Sequence, residues 1–143
     1  MGMVIERRLR IPAEVERLAE VRAAVRSVAE DCAAPEGCED DLVQAVDEAA
    51  TNAIVHGYRG APGWLDVSVR KVGDRIVITL SDRAPAFDPT GIPEPDLAVP
   101  PDRRRPGGMG IHLMRQATAS ITHRPRPGGG NILTMTRRLE PGA

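Results

Sequence analysis

Three clusters in this chain have residue types and spacings that could do chemistry. The first is Glu48-x-x-x-Asn52-x-x-x-His56, inside the run Ala-Val-Asp-Glu-Ala-Ala-Thr-Asn-Ala-Ile-Val-His-Gly-Tyr. On a helix, four-residue spacing stacks side chains on one face. A carboxylate there can accept a proton or orient a nucleophile. A carboxamide oxygen one turn later can ligate magnesium, which prefers oxygen. The surrounding alanines allow another element or a ligand to come close. The second is Ser81-Asp82-Arg83-Ala84-Pro85-Ala86-Phe87-Asp88-Pro89, where a strand ends in an aspartate and the chain turns. A carboxylate at a strand end can accept a hydrogen bond from an exocyclic amine such as that of adenine. The third is Pro106-Gly107-Gly108-Met109-Gly110-Ile111-His112-Leu113. Glycines just before a helix expose backbone N–H groups at a positive dipole end, which suits phosphates.

Singly, each cluster has an ordinary reading. Glu and Asn are common on solvated helix faces, Asp is a common turn former, and Gly-Gly-x-Gly can be a plain loop-to-helix joint. Their meaning depends on the elements that position them. Residues 3–11 read as a strand. A helix then runs from Pro12 to about Ala33, with Val15, Leu18, Val21, Ala24 or Val25, and Val28 as its apolar stripe. A second helix starts in the acidic cluster Glu39, Asp40, Asp41 and buries Leu42, Val46, Ala49, Ala50, Ala53 and Ile54, with Gly57 as its stop. Trp64–Val72 and Arg75–Ser81 read as two strands joined at Gly73-Asp74. Residues 83–107 hold seven prolines and read as one long irregular loop. A short helix, Ile111–Ala117, and two strands near Ser120–Arg124 and Ile132–Leu139 close the chain around Gly128-Gly129-Gly130. The order β-α-α-β-β-loop-α-β-β predicts one domain, an α/β two-layer sandwich with a mostly antiparallel sheet and helices on one face.

Composition narrows the partners. The chain has 143 residues, and its net charge of -1 gives no general attraction to nucleic acid or acidic membranes. Its aromatics are Tyr58, Trp64 and Phe87, too few for a base-stacking platform. Lys71 is the sole lysine and no Gly-Lys-Ser/Thr run exists, which excludes a Walker-type loop. No apolar run approaches a spanning helix, and the charged start has no signal core. Cys32 and Cys38 read as reduced thiols of a cytoplasmic protein rather than as a disulfide or zinc pair.

Taken in order, the three clusters resemble the GHKL (Bergerat-type) ATP-binding fold, in particular the anti-sigma factor serine-protein kinases of the RsbW and SpoIIAB type. Glu48 to Tyr58 is similar to that family's N-box, Asp82 to Pro89 to its first glycine box, and Gly107 to Leu113 to its second. The resemblance extends to Met135-Thr136-Arg137-Arg138-Leu139. One departure stands out: the family usually has glycine two residues after the aspartate, where this chain has Ala84. An added methyl there is expected to crowd the adenine or stiffen the backbone.

The resemblance implies a chain of consequences. ATP sits between the helices and a lid of about residues 89–106. Asp82 and Ala84 lie at the adenine, Asn52 holds magnesium, and Gly108, Met109 and Gly110 cradle the phosphates. Glu48 is the general base, or the orienter, for a serine or threonine hydroxyl. Thr134 touches the nucleotide from a closing strand. Arg103, Arg104 and Arg105 add charge near the γ-phosphate or form a solvated basic run, and His56 caps or packs at the helix end. The implied partners are a STAS-domain anti-sigma factor antagonist as substrate, an alternative sigma factor, and a second copy in a homodimer. The rival expectation is a non-catalytic ATP-binding module of a partner-switching or phosphorelay system.

Overall fold

The computed structural model describes residues 4–91, 96–100, 102 and 109–139, without the Met109 side chain. Its elements are β1 (Glu6–Pro12), α1 (Leu18–Asp31), α2 (Cys38–Thr51), β2 (Trp64–Val72), β3 (Arg75–Asp82), α3 (Met109–Ala117), β4 (Ser120–Pro125) and β5 (Asn131–Arg138). The strands form one sheet in the order β1-β2-β3-β5-β4. Every neighbouring pair is antiparallel.

Alternation along the strands divides the sheet into two faces. Leu65, Val67 and Val69 of β2, Ile76, Ile78 and Leu80 of β3, and Leu133 and Met135 of β5 are buried on the inner face. Against them pack Leu18, Val21, Val25 and Val28 of α1, and Leu42, Val46, Ala49 and Ala50 of α2. The outer face carries a shallow concavity of about 720 Å³, lined by Arg8, Arg10, Arg70, Arg124, Thr79 and Thr134 among others. This is the expected two-layer α/β sandwich.

Two helices differ from their sequence patterns in instructive ways. Residues 15–17 form a 3₁₀ turn, so the apolar stripe of α1 begins at Leu18 and Val15 is left 46% exposed. Asn52–Tyr58, expected to continue α2 as an α-helix, is a π-helix that closes at Arg59 in the left-handed conformation. A π turn returns a side chain to the same face after five residues instead of four. His56 therefore leaves the Glu48–Asn52 stripe and is exposed, while Gly57 falls one π turn beyond Asn52.

Arg137 ties the layers together. Its guanidinium pairs with Asp41 at 2.8 Å and donates to the Ala117 carbonyl at 2.9 Å, so one β5 side chain locates the start of α2 and the end of α3. Cys32 and Cys38 are free, and burial pushes both thiols up from their usual range. Among the described residues no helix is long and apolar enough to cross a membrane.

Candidate functional site

The site lies where α2, α3 and the ends of β3 and β5 converge. Its floor is α2 and the π turn. Ala49, Asn52, Ala53 and Gly57 line one side of a narrow cavity of about 40 Å³, and Leu80, Asp82, Asn131 and Leu133 line the other. The small residues of the floor keep the helix surface low, which is what leaves space between helix and sheet. Phe87, Pro89 and His123 complete the lining.

Glu48 and Asn52 occupy successive turns of one face, as their spacing predicts. Gly110, in the first turn of α3, comes directly against them. A Cβ built at Gly110 would lie 2.9 Å from Glu48 Oε2 and 3.7–3.9 Å from the Asn52 amide atoms. A side chain there would displace the carboxylate, so glycine is what permits the approach. The start of α3, with first-turn N–H groups that have no partner within the helix, is thereby brought to the carboxylate and the carboxamide. Neither Glu48 nor Asn52 hydrogen-bonds any other side chain among the described residues.

Asp82, 8% exposed, is held quite differently. Its Oδ1 accepts from the Ala84 N–H at 3.0 Å and from Asn131 Nδ2 at 2.9 Å. Behind it, Tyr58 donates its hydroxyl hydrogen to the Trp64 carbonyl at 2.6 Å and accepts from the Arg83 N–H at 2.8 Å. The turn before β5 must pass very close: a Cβ at Gly130 would fall 2.0 Å from the Asp82 carbonyl oxygen, and Gly130 has φ +115°. Beyond Asp82 the chain turns at Asp88, where the Thr90 hydroxyl, chiefly, holds the carboxyl below its usual range. Arg115 of α3 donates to the Thr90 carbonyl at 2.7 Å, which ties α3 to this loop.

Ala84 does not crowd the cavity. Its methyl is buried against the π turn, 3.1 Å from where a Cβ of Gly57 would stand. The absent side chain at 57 accommodates the extra one at 84.

Five predicted residues thus converge: Glu48, Asn52, Asp82, Ala84 and Gly110. Thr134 does not join them, and that expectation is corrected. In β5 it alternates with Leu133 and Met135, so it lies on the outer face of the sheet beside Thr79 and Ser81, away from the helices. Gly107, Gly108, Arg103, Arg104 and Arg105 lie outside the described residues, as do residues 92–95 and 101–106 of the expected lid, apart from Asp102; only the backbone of Met109 is described. Asn131 and His123 were missed. The strand expected from Ile132 begins one residue earlier, and only the register pairing Asp82 with Asn131 reveals the contact. The run of three glycines before it was the available signal.

The donor set fits a nucleotide with magnesium. Asn52 offers a hard oxygen, and among the described residues no group of three or more His, Cys, Asp or Glu could hold a metal alone. Magnesium with one or two protein oxygens and substrate phosphates is its usual mode.

Residues 11–137 match the family described as "Histidine kinase-like ATPase domain". The serine/threonine-protein kinase BtrW of Bordetella bronchiseptica is 32% identical over 101 residues, 70% of this chain and 70% of that protein. A serine-protein kinase RsbW of Staphylococcus aureus is 29% identical over 138 residues, 92% of this chain and 86% of that protein. The crystal structure of the RsbU and RsbW domains of a Mycobacterium tuberculosis protein matches 96% of this chain with a TM-score of 0.64 and 22% identity. The present chain spans 34% of that one, and the likeness is one of fold.

Proposed function

The chain belongs to the histidine kinase-like ATPase family, with the RsbW- and BtrW-type serine-protein kinases, and we propose that it transfers the γ-phosphoryl group of ATP to a serine or threonine hydroxyl of a partner protein. The observation that carries this reading is the approach of Gly110 to Glu48 and Asn52, next to a cavity that Asn52 and Asp82 both line.

Each residue then has a task. Asp82 accepts a hydrogen bond from the adenine amine. The first-turn N–H groups of α3 receive phosphate oxygens at the positive end of the helix. Asn52 gives its carboxamide oxygen to magnesium. Magnesium held there would supply charge neutralisation on the phosphates. Glu48 orients the incoming hydroxyl and accepts its proton as the new O–P bond forms and the bond to the ADP oxygen breaks. Phosphoryl transfer is mainly positioning and charge stabilisation, which a small set of groups like this can supply.

The substrate this reading takes is a STAS-domain anti-sigma factor antagonist, with an alternative sigma factor as the second partner. The chain acts in the cytoplasm as a homodimer formed through the sheets. Supporting this are the likeness to RsbW and the polar outer face of the sheet, where β1 forms an open edge. The decisive experiment supplies radiolabelled ATP, magnesium and a purified STAS-domain protein from the same organism. Label on a serine or threonine of that protein is expected. Tight ATP binding with no label on it would leave the non-catalytic regulator in place of the kinase.

A further inference from the structure

Asn131 has its whole hydrogen-bonding capacity committed around the end of the cavity. Its Oδ1 accepts from the Phe87 N–H at 2.9 Å and meets His123 Nε2 at 2.8 Å. Its Nδ2 donates to Asp82 Oδ1 at 2.9 Å and to the Pro85 carbonyl at 3.2 Å, with the Ala84 carbonyl at 3.4 Å. Backbone groups fix which way this amide points. A main-chain N–H can only donate, so the oxygen must face Phe87, and carbonyls can only accept, so the nitrogen must face Ala84 and Pro85. It follows that His123 carries its proton on Nε2 when it meets Asn131. Asn131 is 7% exposed, where leaving such groups unpaired would be costly.

The consequence falls on Asp82. Both donors that reach its carboxylate, Ala84 N–H and Asn131 Nδ2, take Oδ1. Oδ2 accepts no hydrogen bond from any described residue. We propose that Asn131 is a positioning residue for base recognition: it holds the Asp82 carboxylate so that Oδ2 alone is offered to the exocyclic amine of adenine, and it anchors the 84–87 loop to the same carboxylate. His123 acts at one remove, locking the Asn131 amide through Nε2. This inference rests on the adenine reading of Asp82.

The contact makes a chemical prediction. Adenine has an amine that donates to a bare carboxylate oxygen, whereas hypoxanthine has a carbonyl there that is repelled by it. Fixing Oδ2 in place should therefore set the ratio of the two affinities, and not only the strength of binding. Asn131→Leu keeps the size of the side chain and removes its hydrogen bonds. Titration calorimetry with magnesium-ATP and magnesium-inosine triphosphate should show ATP weakened about 10–100-fold, the loss expected of one mispositioned hydrogen bond to a charged group. Inosine triphosphate should change less than about threefold, so the preference collapses. His123→Leu should reduce the ATP preference about threefold, because Phe87 still holds the amide oxygen. It also tests the inference if Asn131→Leu fails to fold. A purely structural role would weaken both nucleotides by one factor and leave the ratio unchanged, and that result in either variant overturns the inference. Absence of any ATP preference in the unmodified protein would overturn the adenine reading and the inference together. A preference retained in both variants would overturn the inference alone.

Discussion

The two ends of the site are built on opposite principles. At the strand end Asp82 is gripped: two donors share one carboxylate oxygen, a buried amide links it to two loop carbonyls, and Tyr58 secures the following backbone. At the helix end Glu48 stands on the last regular turn of α2 and Asn52 at the start of the π turn, neither with a hydrogen bond from any described side chain, and the residue facing them is a glycine. The contrast matches the two tasks. Recognition of a base gains from a fixed acceptor, since an oriented group loses little freedom on binding. Groups that must meet phosphate, metal and a partner's hydroxyl have to keep their lone pairs uncommitted until those atoms arrive.

The sharpest way to break this comparison is Glu48→Gln. The amide keeps the shape of the side chain and loses its basicity. Phosphate transfer is expected to fall by about 10²–10⁴, the usual share of general acid–base catalysis, with ATP binding and melting temperature preserved. Transfer at the unmodified rate would make Glu48 an ordinary helix residue. A partial loss would favour orientation over proton acceptance.

Asn52→Ala strikes the same end through the metal. Affinity for magnesium-ATP should fall at least as far as the ~10–100-fold seen when groups that merely support a metal ligand are removed. Binding of ADP in excess chelator should hardly change. A matched loss with and without magnesium would mean that Asn52 packs against the nucleotide and does not hold the ion.

Gly110→Ala asks how free the helix end must be. The new methyl would stand 2.9 Å from Glu48 Oε2, so the carboxylate must shift. Displacements well under 1 Å at a reacting group are enough to cost about tenfold, and that loss of transfer is expected, with nucleotide affinity kept within a few-fold. The helix itself should be no less stable, since alanine is the better helix former. A drop in melting temperature with transfer intact would show that Gly110 serves packing alone.

How much of this was legible beforehand depends on whether a feature is local. Glu48 and Asn52 were visible because helical spacing is a local rule, and α2 obeys it up to Thr51. The rule failed at His56 because the helix widens into a π turn there, and nothing in Asn-Ala-Ile-Val-His-Gly-Tyr announces that. Asp82 was visible as the polar end of an alternating strand. Asn131 was not, because its partner lies 49 residues away and the pairing depends on strand order. Thr134 was placed at the nucleotide by the resemblance alone, whereas the alternation that buries Leu133 and Met135 puts it on the other face. The approach of Gly110 to Glu48 follows from packing between two helices, which spacing within either one does not reveal.

The mildest test concerns Ala84, which belongs to the strand end. If that end is preorganised by the contacts described, its methyl is part of the packing and not an obstacle. Ala84 is 2% exposed, has no positive φ that would call for glycine, and fits against the bare backbone of Gly57. Ala84→Gly removes a buried methyl, about 0.8 kcal/mol, and frees the unfolded chain by a further ~0.4–1 kcal/mol. The melting temperature should fall roughly 3–10 °C, while ATP affinity stays within about twofold. Gly57→Ala alone should destabilise more, since its methyl would meet that of Ala84 at 3.1 Å. Combining the two substitutions moves the methyl from loop to helix and relieves the clash, so the losses should not add. Differential scanning calorimetry of the four proteins measures this coupling directly. A large gain in ATP affinity from Ala84→Gly would reverse the argument. It would mean that the methyl obstructs the base, and that the strand end is not held ready for adenine but must open to admit it.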